Sequence, residues 1–295
     1  MRLIVLGAAA GGGLPQWNCG CRNCSDARAG VIPRMTQSSV AVTVDDTAWA
    51  VLNASPDIRA QVDACPQMHP PALRGSPIAS VVLTNGDIDH IAGLLTLREK
   101  TAFEVYATAA GLDILQGNSV FGVLDPALVT QHQIALDAPF VPVPGLTVTP
   151  FAVPGKVALF LEGDTLNLEE VGEQTVGLML ESSGARAVYI PGCAAIPDWL
   201  IDRIRAADLL LFDGTVGNND DMQRTGTGEK TGARMGHVPL NGELGSLARL
   251  AEVAARKVYI HINNTNPILQ PGAPERAEVL AQGWEIAADG MEITL

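Results

Sequence analysis

Val81-Val82-Leu83-Thr84-Asn85-Gly86-Asp87-Ile88-Asp89-His90 is the stretch whose reading decides the fold. Val81 to Thr84 is apolar, β-branched and short, which predicts a buried strand. The chain then turns at Asn85-Gly86 and presents Asp87, Asp89 and His90 within four positions. Apolar residues resume at Ile91, Leu94, Leu95 and Leu97, which predicts a helix over 91–100 packed back on the strand. Carboxylates and an imidazole at the C-terminal edge of a strand are where α/β sheets place their chemistry. The same residues also fit a surface turn whose aspartates cap a helix.

The sequence has 295 residues, enough for one large α/β domain or two smaller ones around a sizeable core. Hydrophobic residues make up 47%, which places it among globular chains. Its 32 acidic and 19 basic residues leave a net charge of -13, which argues against nucleic acid or an anionic membrane as main partner. No apolar run approaches the roughly 20 residues a membrane helix needs, so no membrane insertion is expected. Leu3-Ile4-Val5-Leu6 is too short for the apolar region of a signal peptide, and a cytoplasmic location is expected.

Upstream of the deciding stretch, Arg2 to Leu6 is a strand candidate, and Gly7 to Gly13 superficially resembles a dinucleotide-binding glycine loop. That fingerprint needs a helix directly after the glycines. Leu14-Pro15-Gln16-Trp17-Asn18-Cys19 has no helical period, and no nucleotide site is expected. Cys19-Gly-Cys21-Arg-Asn-Cys24 places three cysteines in six residues, a density that packing hardly explains. A tetrahedral Zn²⁺ is the preferred reading, with a fourth ligand from elsewhere, and free thiols or a redox pair are the alternatives. Cys65 reads as a core thiol. Ser38 to Val44 and Trp49 to Leu52 are strands around an Asp45-Asp46 turn, and a helix starts at Ile58, capped near Ser55 or Asp57. His69, among prolines, reads as exposed.

Downstream, Phe103 to Ala107 is a strand and Ala109 to Gln116 a helix. Pro139 to Pro154 should be strands broken by turns. His132 reads as a surface residue. Further strands are Val176 to Glu181, Ala187 to Ile190 and Leu209 to Asp213. Residues 214–236 are rich in Gly, Thr, Asn and Asp without an apolar period, which predicts a mobile loop and a candidate lid. His237 opens a predicted helix running to about Ala255, and Val258 to Ile260 is a strand ending at His261. Asp57, Asp87 to His90, Cys193, Asp213 and His261 thus close successive strands, and five such endings predict a single cleft.

These endings, in this order, resemble the successive motifs of the metallo-β-lactamase fold over nearly the whole chain. The resemblance implies an α/β, four-layer αββα sandwich of two mixed sheets flanked by helices, as one domain over residues 1–295. The phosphodiesterase and ribonuclease Z branch is the nearer match, through Leu211-Phe-Asp213-Gly-Thr215, Gly236-His237 and the C-x-C-x-x-C. Nearer still is the B-protein family of pyrroloquinoline quinone (PQQ) biosynthesis. Gln16-Trp-Asn-Cys-Gly-Cys21, Ser55-Pro-Asp-Ile58, Val153-Pro-Gly-Lys156, Met235-Gly-His-Val238 and His261-Ile-Asn-Asn-Thr-Asn-Pro267 resemble it together.

The departures from the hydrolases carry mechanism. Their H-x-H-x-D-H frame reads Asn85-Gly86-Asp87-Ile88-Asp89-His90 here, no histidine lies near Pro154, and Cys193 holds the bridging-aspartate position. The resemblance therefore implies a dismantled first metal site. It implies a retained second site of Asp89, His90 and His261, chemically the two-histidine, one-carboxylate triad of non-haem Fe(II) oxygenases. The expected activity is Fe²⁺- and O₂-dependent hydroxylation of a dipeptide-like PQQ precursor derived from linked Glu and Tyr, alongside other PQQ biosynthesis proteins. Asp87, Asp213 and His237 are candidates to orient the ligating imidazoles or transfer protons. Two rivals remain: a soluble carrier that helps move PQQ or its precursor to the periplasm without catalysis, and a hydrolase holding a hard ion through Asn85 and Asp87. For a structural zinc at Cys19, Cys21 and Cys24, the phosphodiesterase subgroup's fourth-ligand histidine falls on Asn264, which leaves that ligand open.

Overall fold

Side chains alternate between the two faces of a strand, and the first strand is apolar on both. Leu3 and Val5 of β1 (Arg2–Gly7) enter a core shared by two sheets, while Ile4 and Leu6 enter a second core under helices. The computed structural model describes residues 1–162 and 170–295. Along the chain follow β2 (Ser39–Thr43), β3 (Trp49–Leu52), β4 (Ile78–Val82), β5 (Phe103–Ala107), β6 (Val129–Gln133) and β7 (Phe140–Val143). Then come β8 (Leu146–Gly155), β9 (Glu170–Ser182), β10 (Ala185–Ile190), β11 (Leu209–Asp213), β12 (Arg256–Ile260), β13 (Trp284–Ile286) and β14 (Glu292–Thr294). One sheet has the order β14-β1-β2-β3-β4-β5-β6, the other β13-β12-β11-β10-β9-β8-β7.

Both sheets are mixed. β3 to β6 run parallel in the first, as do β10 to β13 in the second, and the remaining pairs are antiparallel. Helices Ile58–Ala64 and Ala109–Gly117 cover the outer face of the first sheet. Asp198–Ile204 and Pro274–Ala281 send Leu200, Ile204 and Val279 into the core of the second. This is the expected αββα sandwich of the metallo-β-lactamase fold. Among the described residues no helix is long and apolar enough to cross a membrane.

The local expectations need three corrections. The helix expected over 91–100 is α-helical only at Ile88–Ile91 and continues as a 3₁₀ segment, Ala92–Arg98. The His90 carbonyl accepts from Ala54 N–H at 2.8 Å, and Gly93 N–H donates to the Ala54 carbonyl at 2.9 Å, so backbone groups a helix would use are spent on a loop. A Cβ on Gly93 would lie 2.2 Å from the Ser55 carbonyl oxygen, so only glycine permits this approach. The helix expected from His237 to Ala255 shrinks to Ser246–Arg249. Leu240 and Asn241 instead donate to the carbonyls of Val216 and Gly217, and Gly242 sits at φ +95°. Residues 214–236, expected without regular structure, hold two short helices, Asp221–Arg224 and Gly232–Met235. The buried Asp221 carboxylate accepts from Gly217 N–H at 2.7 Å and Asn218 N–H at 3.1 Å, which ties the first of them down.

Candidate metal centres

The C-terminal ends of β4, β11 and β12 meet where the two sheets approach each other, and the motif following β4 faces His261 at the end of β12. Asp89, His90 and His261 offer ligand atoms that all lie within 4.8 Å of one another. His261 Nε2 is 3.1 Å and His90 Nε2 3.8 Å from Asp89 Oδ2. Ligand atoms about 2.1 Å from one ion stand roughly 3 to 4 Å apart, so these separations fit a shared cation. His261 sits at φ +54°, a left-handed conformation uncommon for this residue and typical of functional positions.

The hydrogen bonds fix which ring nitrogens are available. Asn85 Oδ1 accepts from Asp87 N–H at 3.0 Å, so it also accepts from His90 Nδ1 at 2.7 Å. That leaves His90 Nε2 buried without a partner, an orphaned lone pair aimed at Asp89 and His261. Burial pulls the His90 pKa down to about 4, so the ring is neutral, the form that ligates metals. Thr215 Oγ1 donates to Asp213 Oδ1 at 2.6 Å and therefore accepts from His261 Nδ1 at 2.8 Å. His261 Nε2 then faces Asp89. Burial opposes the Asp89 carboxylate, but the neighbouring His90 and the hydrogen bond from His261 override it and hold Asp89 below the ordinary carboxylate range. Burial likewise opposes charge on His261, and Asp89 reverses it, so its pKa is raised.

Of the other expected site residues, Asp87 does not cap its helix. Its Oδ1 accepts from Leu159 N–H at 3.2 Å, and burial together with Asp89 raises its pKa. Asp213 is fully buried behind the site, and its Oδ2 accepts from His237 Nδ1 at 2.7 Å and from Cys193 N–H at 2.9 Å. The His237 ring stacks on His261 with centroids 5.2 Å apart and lines the cavity. Asp213, His237 and His261 form a second ligand-type group, but the Thr215 hydroxyl sits among them and bonds to all three. The cavity holds about 240 Å³, and Asn85, Asp87, Asp89, His90, His237 and His261 line it together.

Three of the five strand endings do not line the cavity: Asp213, buried behind it, and Asp57 and Cys193. Asp57 turns away to accept from Gln37 N–H and Nε2 at 2.9 and 3.0 Å, and Cys193 is buried with its thiol donating to the Ala195 carbonyl at 3.0 Å. Burial pushes that thiol's pKa up, so it stays protonated. His132 lies on edge strand β6 and stacks on Tyr106 rather than standing free, whereas His69 is exposed as expected. The sequence reading gave no role to Thr215, Lys156, Glu162 or Arg234. A hydroxyl two residues after a strand-end acid was the one available signal for Thr215.

Cys19, Cys21 and Cys24 bring three sulfurs within 4.8 Å of one another. The Asn264 amide caps them, with Nδ2 at 3.2, 3.6 and 3.3 Å from the three Sγ atoms. Burial opposes the Cys19 thiolate, but the Cys21 N–H and neighbouring side chains outweigh it and lower its pKa, while burial pushes Cys24 up to about 11. Arg28 binds the carbonyls of Cys19 and Gln16 and holds the loop. Cys65 is buried, as expected of a core thiol.

A beta-lactamase superfamily domain matches residues 48–262. The chain is 56% identical to Coenzyme PQQ synthesis protein B of Ruegeria pomeroyi over 295 residues, all of both chains. It is 58% identical to the Rhizobium meliloti protein of the same name over 300 residues, covering all of this chain and 98% of that one. The crystal structure of Zn²⁺-bound PqqB from Methylobacterium extorquens superposes with a TM-score of 0.98 at 54% identity, with both chains fully covered. The chain therefore belongs to the coenzyme PQQ synthesis protein B family, PQQ biosynthesis proteins built on the β-lactamase superfamily domain.

Proposed function

We propose that this chain is a cytoplasmic Fe²⁺- and O₂-dependent hydroxylase that oxidises a precursor derived from linked Glu and Tyr, working with other proteins of PQQ biosynthesis. The observation that carries this reading is the orphaned Nε2 of His90 in the two-histidine, one-carboxylate set of Asp89, His90 and His261, whereas the adjoining set of Asp213, His237 and His261 already has the Thr215 hydroxyl bonded to all three. Among the described residues, neither Asp87 nor Cys193 belongs to a ligand-type group, and Asn85 is spent on orienting His90. A two-metal hydrolase needs a second ion to direct hydroxide, and these residues do not offer its ligands. Asp89, His90 and His261 would hold the iron, which would supply the activation of O₂ for hydroxylation.

The chain's own residues do the rest. Asn85 and Thr215 set the tautomers of His90 and His261. Asp213 holds His237 through Nδ1, which leaves Nε2 to accept a proton from a substrate hydroxyl in the cavity. Asp87, whose pKa is raised by burial and by Asp89, lines the same cavity. Zinc fits the three cysteines, with the Asn264 amide turned to present its oxygen as the fourth ligand, because amide nitrogen and oxygen differ only in their partners.

The test is metal analysis of anaerobically purified protein, reconstitution with Fe²⁺, and O₂ uptake with a Glu-Tyr substrate. One zinc and one iron per chain with substrate-dependent O₂ consumption is expected. Stoichiometric PQQ binding without O₂ uptake would make the chain a carrier instead.

A further inference from the structure

The cavity has a second character that the metal ligands do not use. Besides Asp89, His90 and His261, it is lined by Lys156, Lys230 and Arg234. In a chain of net charge -13 the cavity gathers these three cations against three carboxylates, Asp87, Asp89 and Glu162. Glu162 stands between two of these cations. Its Oε1 lies 2.8 Å from Lys156 Nζ and its Oε2 3.0 Å from Arg234 Nη2, so each carboxylate oxygen has its own cation. The Glu162 and Lys156 side chains are only 9% and 13% exposed, while Arg234, at 42%, faces the mouth. An ammonium and a guanidinium converging on one shielded carboxylate make a complete carboxylate receptor. Its present occupant belongs to the protein.

We propose that Lys156 and Arg234 are the carboxylate-binding subsite of this cavity, that Glu162 fills it in the absence of substrate, and that a substrate carboxylate displaces Glu162. The inference rests on the reading that this cavity binds an acidic PQQ precursor. The exchange swaps one carboxylate for another on the same two cations, so neither cation is left buried and unpaired at either end of it. Glu162 is tethered by the Lys156–Glu162 segment, whose Leu159 N–H is bonded to Asp87 beside the metal ligands. A tethered competitor acts at an effective concentration in the millimolar range, so its removal should strengthen carboxylate binding. Lys230 adds a further positive charge to the same wall.

The test titrates the metal-loaded protein with PQQ, a tricarboxylate, and with its trimethyl ester, following binding by calorimetry. PQQ should bind at least about tenfold more tightly than the ester, and the difference should shrink as salt is raised. Glu162→Gln should tighten PQQ binding about three- to tenfold and leave the ester unchanged. Arg234→Ala and Lys156→Met should each weaken PQQ about tenfold or more. Arg234 is a half-exposed residue, so its variant keeps the test valid even where Lys156→Met fails to fold. Equal binding of PQQ and ester, unchanged PQQ binding in Arg234→Ala, or weaker binding in Glu162→Gln would each overturn the proposal. The two readings fail separately. O₂ uptake with a Glu-Tyr substrate but cation-independent PQQ binding sinks the subsite alone. Cation-dependent PQQ binding without O₂ uptake sinks the hydroxylase alone.

Discussion

The cysteine cluster and the Asp89-His90-His261 triad are built in opposite ways. The cysteines lie within six residues, so the local chain alone brings them close, and only Asn264 comes from afar. The triad joins residues 172 positions apart and exists only once the ends of β4 and β12, from different sheets, have met. The first can gather its ligands while the fold forms, and the second is a product of the fold. Yet they share a segment. The chain leaving β12 delivers His261 to one centre and, three residues later, Asn264 to the other. Its backbone is pinned between them: Ile262 N–H donates to the Ala8 carbonyl and Asn263 N–H to the Thr215 carbonyl.

The largest expected effect tests the triad as a unit. Asp89→Ala or His261→Ala should lower Fe²⁺ affinity by more than about 100-fold, beyond the 10- to 100-fold cost of losing a residue that merely supports a ligand. Zinc content should hold at one per chain. Iron retained at full occupancy in either variant would refute the ligand assignment. Cys21→Ser tests the shared segment from the other side. Zinc should fall below half occupancy and the melting temperature should drop by several degrees, because structural metal binding is folding energy. If the 261–264 segment couples the two centres, Fe²⁺ affinity should also fall about tenfold. Zinc loss with unchanged iron affinity would mean that each centre stands alone.

The same contrast explains what could be read from sequence. Strands β3, β5 and β11 are legible to the residue because each is a short, mostly apolar run bounded by polar or turn residues. The triad was legible only through resemblance, since nothing local in Val258-Tyr-Ile-His261 says which sheet its strand joins. The helices expected after Ile91 and His237 failed for one reason. Their apolar spacing is real, but tertiary hydrogen bonds from Ala54, Val216 and Gly217 claim the backbone groups that a helix needs. Asn85 looked like a lost ligand, and its carboxamide turned out to orient the His90 ring. Lys156, Glu162 and Arg234 were invisible because their meaning is a meeting of two loops, and neither loop has a period.

A smaller effect separates ligands from the groups that aim them. Asn85→Ala removes the acceptor of His90 Nδ1 and frees the ring to rotate or change tautomer. Fe²⁺ affinity should fall 10- to 100-fold, and Asn85→Asp, which keeps an acceptor oxygen, should recover most of it. Thr215→Val should behave similarly through His261, with an added stability cost of about 1–3 kcal/mol for the buried hydrogen bonds it leaves unmade. An Asn85→Ala protein with wild-type iron affinity would show that His90 is held by packing instead.

The smallest effect concerns Glu162, held by Lys156 and Arg234. Arg234 first, and Lys156 after it, hold the Glu162 carboxyl below the usual glutamate range. Its folded pKa is therefore depressed relative to the unfolded chain. A depressed carboxylate contributes stability that is fully present above the unfolded pKa, near 4.3, and is lost as pH falls through the folded value. Because Arg234 is half exposed and screened, the contribution should be about 1 kcal/mol or less. Urea unfolding of wild type and Glu162→Gln should differ by that amount at pH 6 and converge toward pH 3. A difference that persists at pH 3 would place the loss in packing around residue 162. Convergence would show that the two cations hold Glu162 by charge, the property a competing carboxylate would need to share.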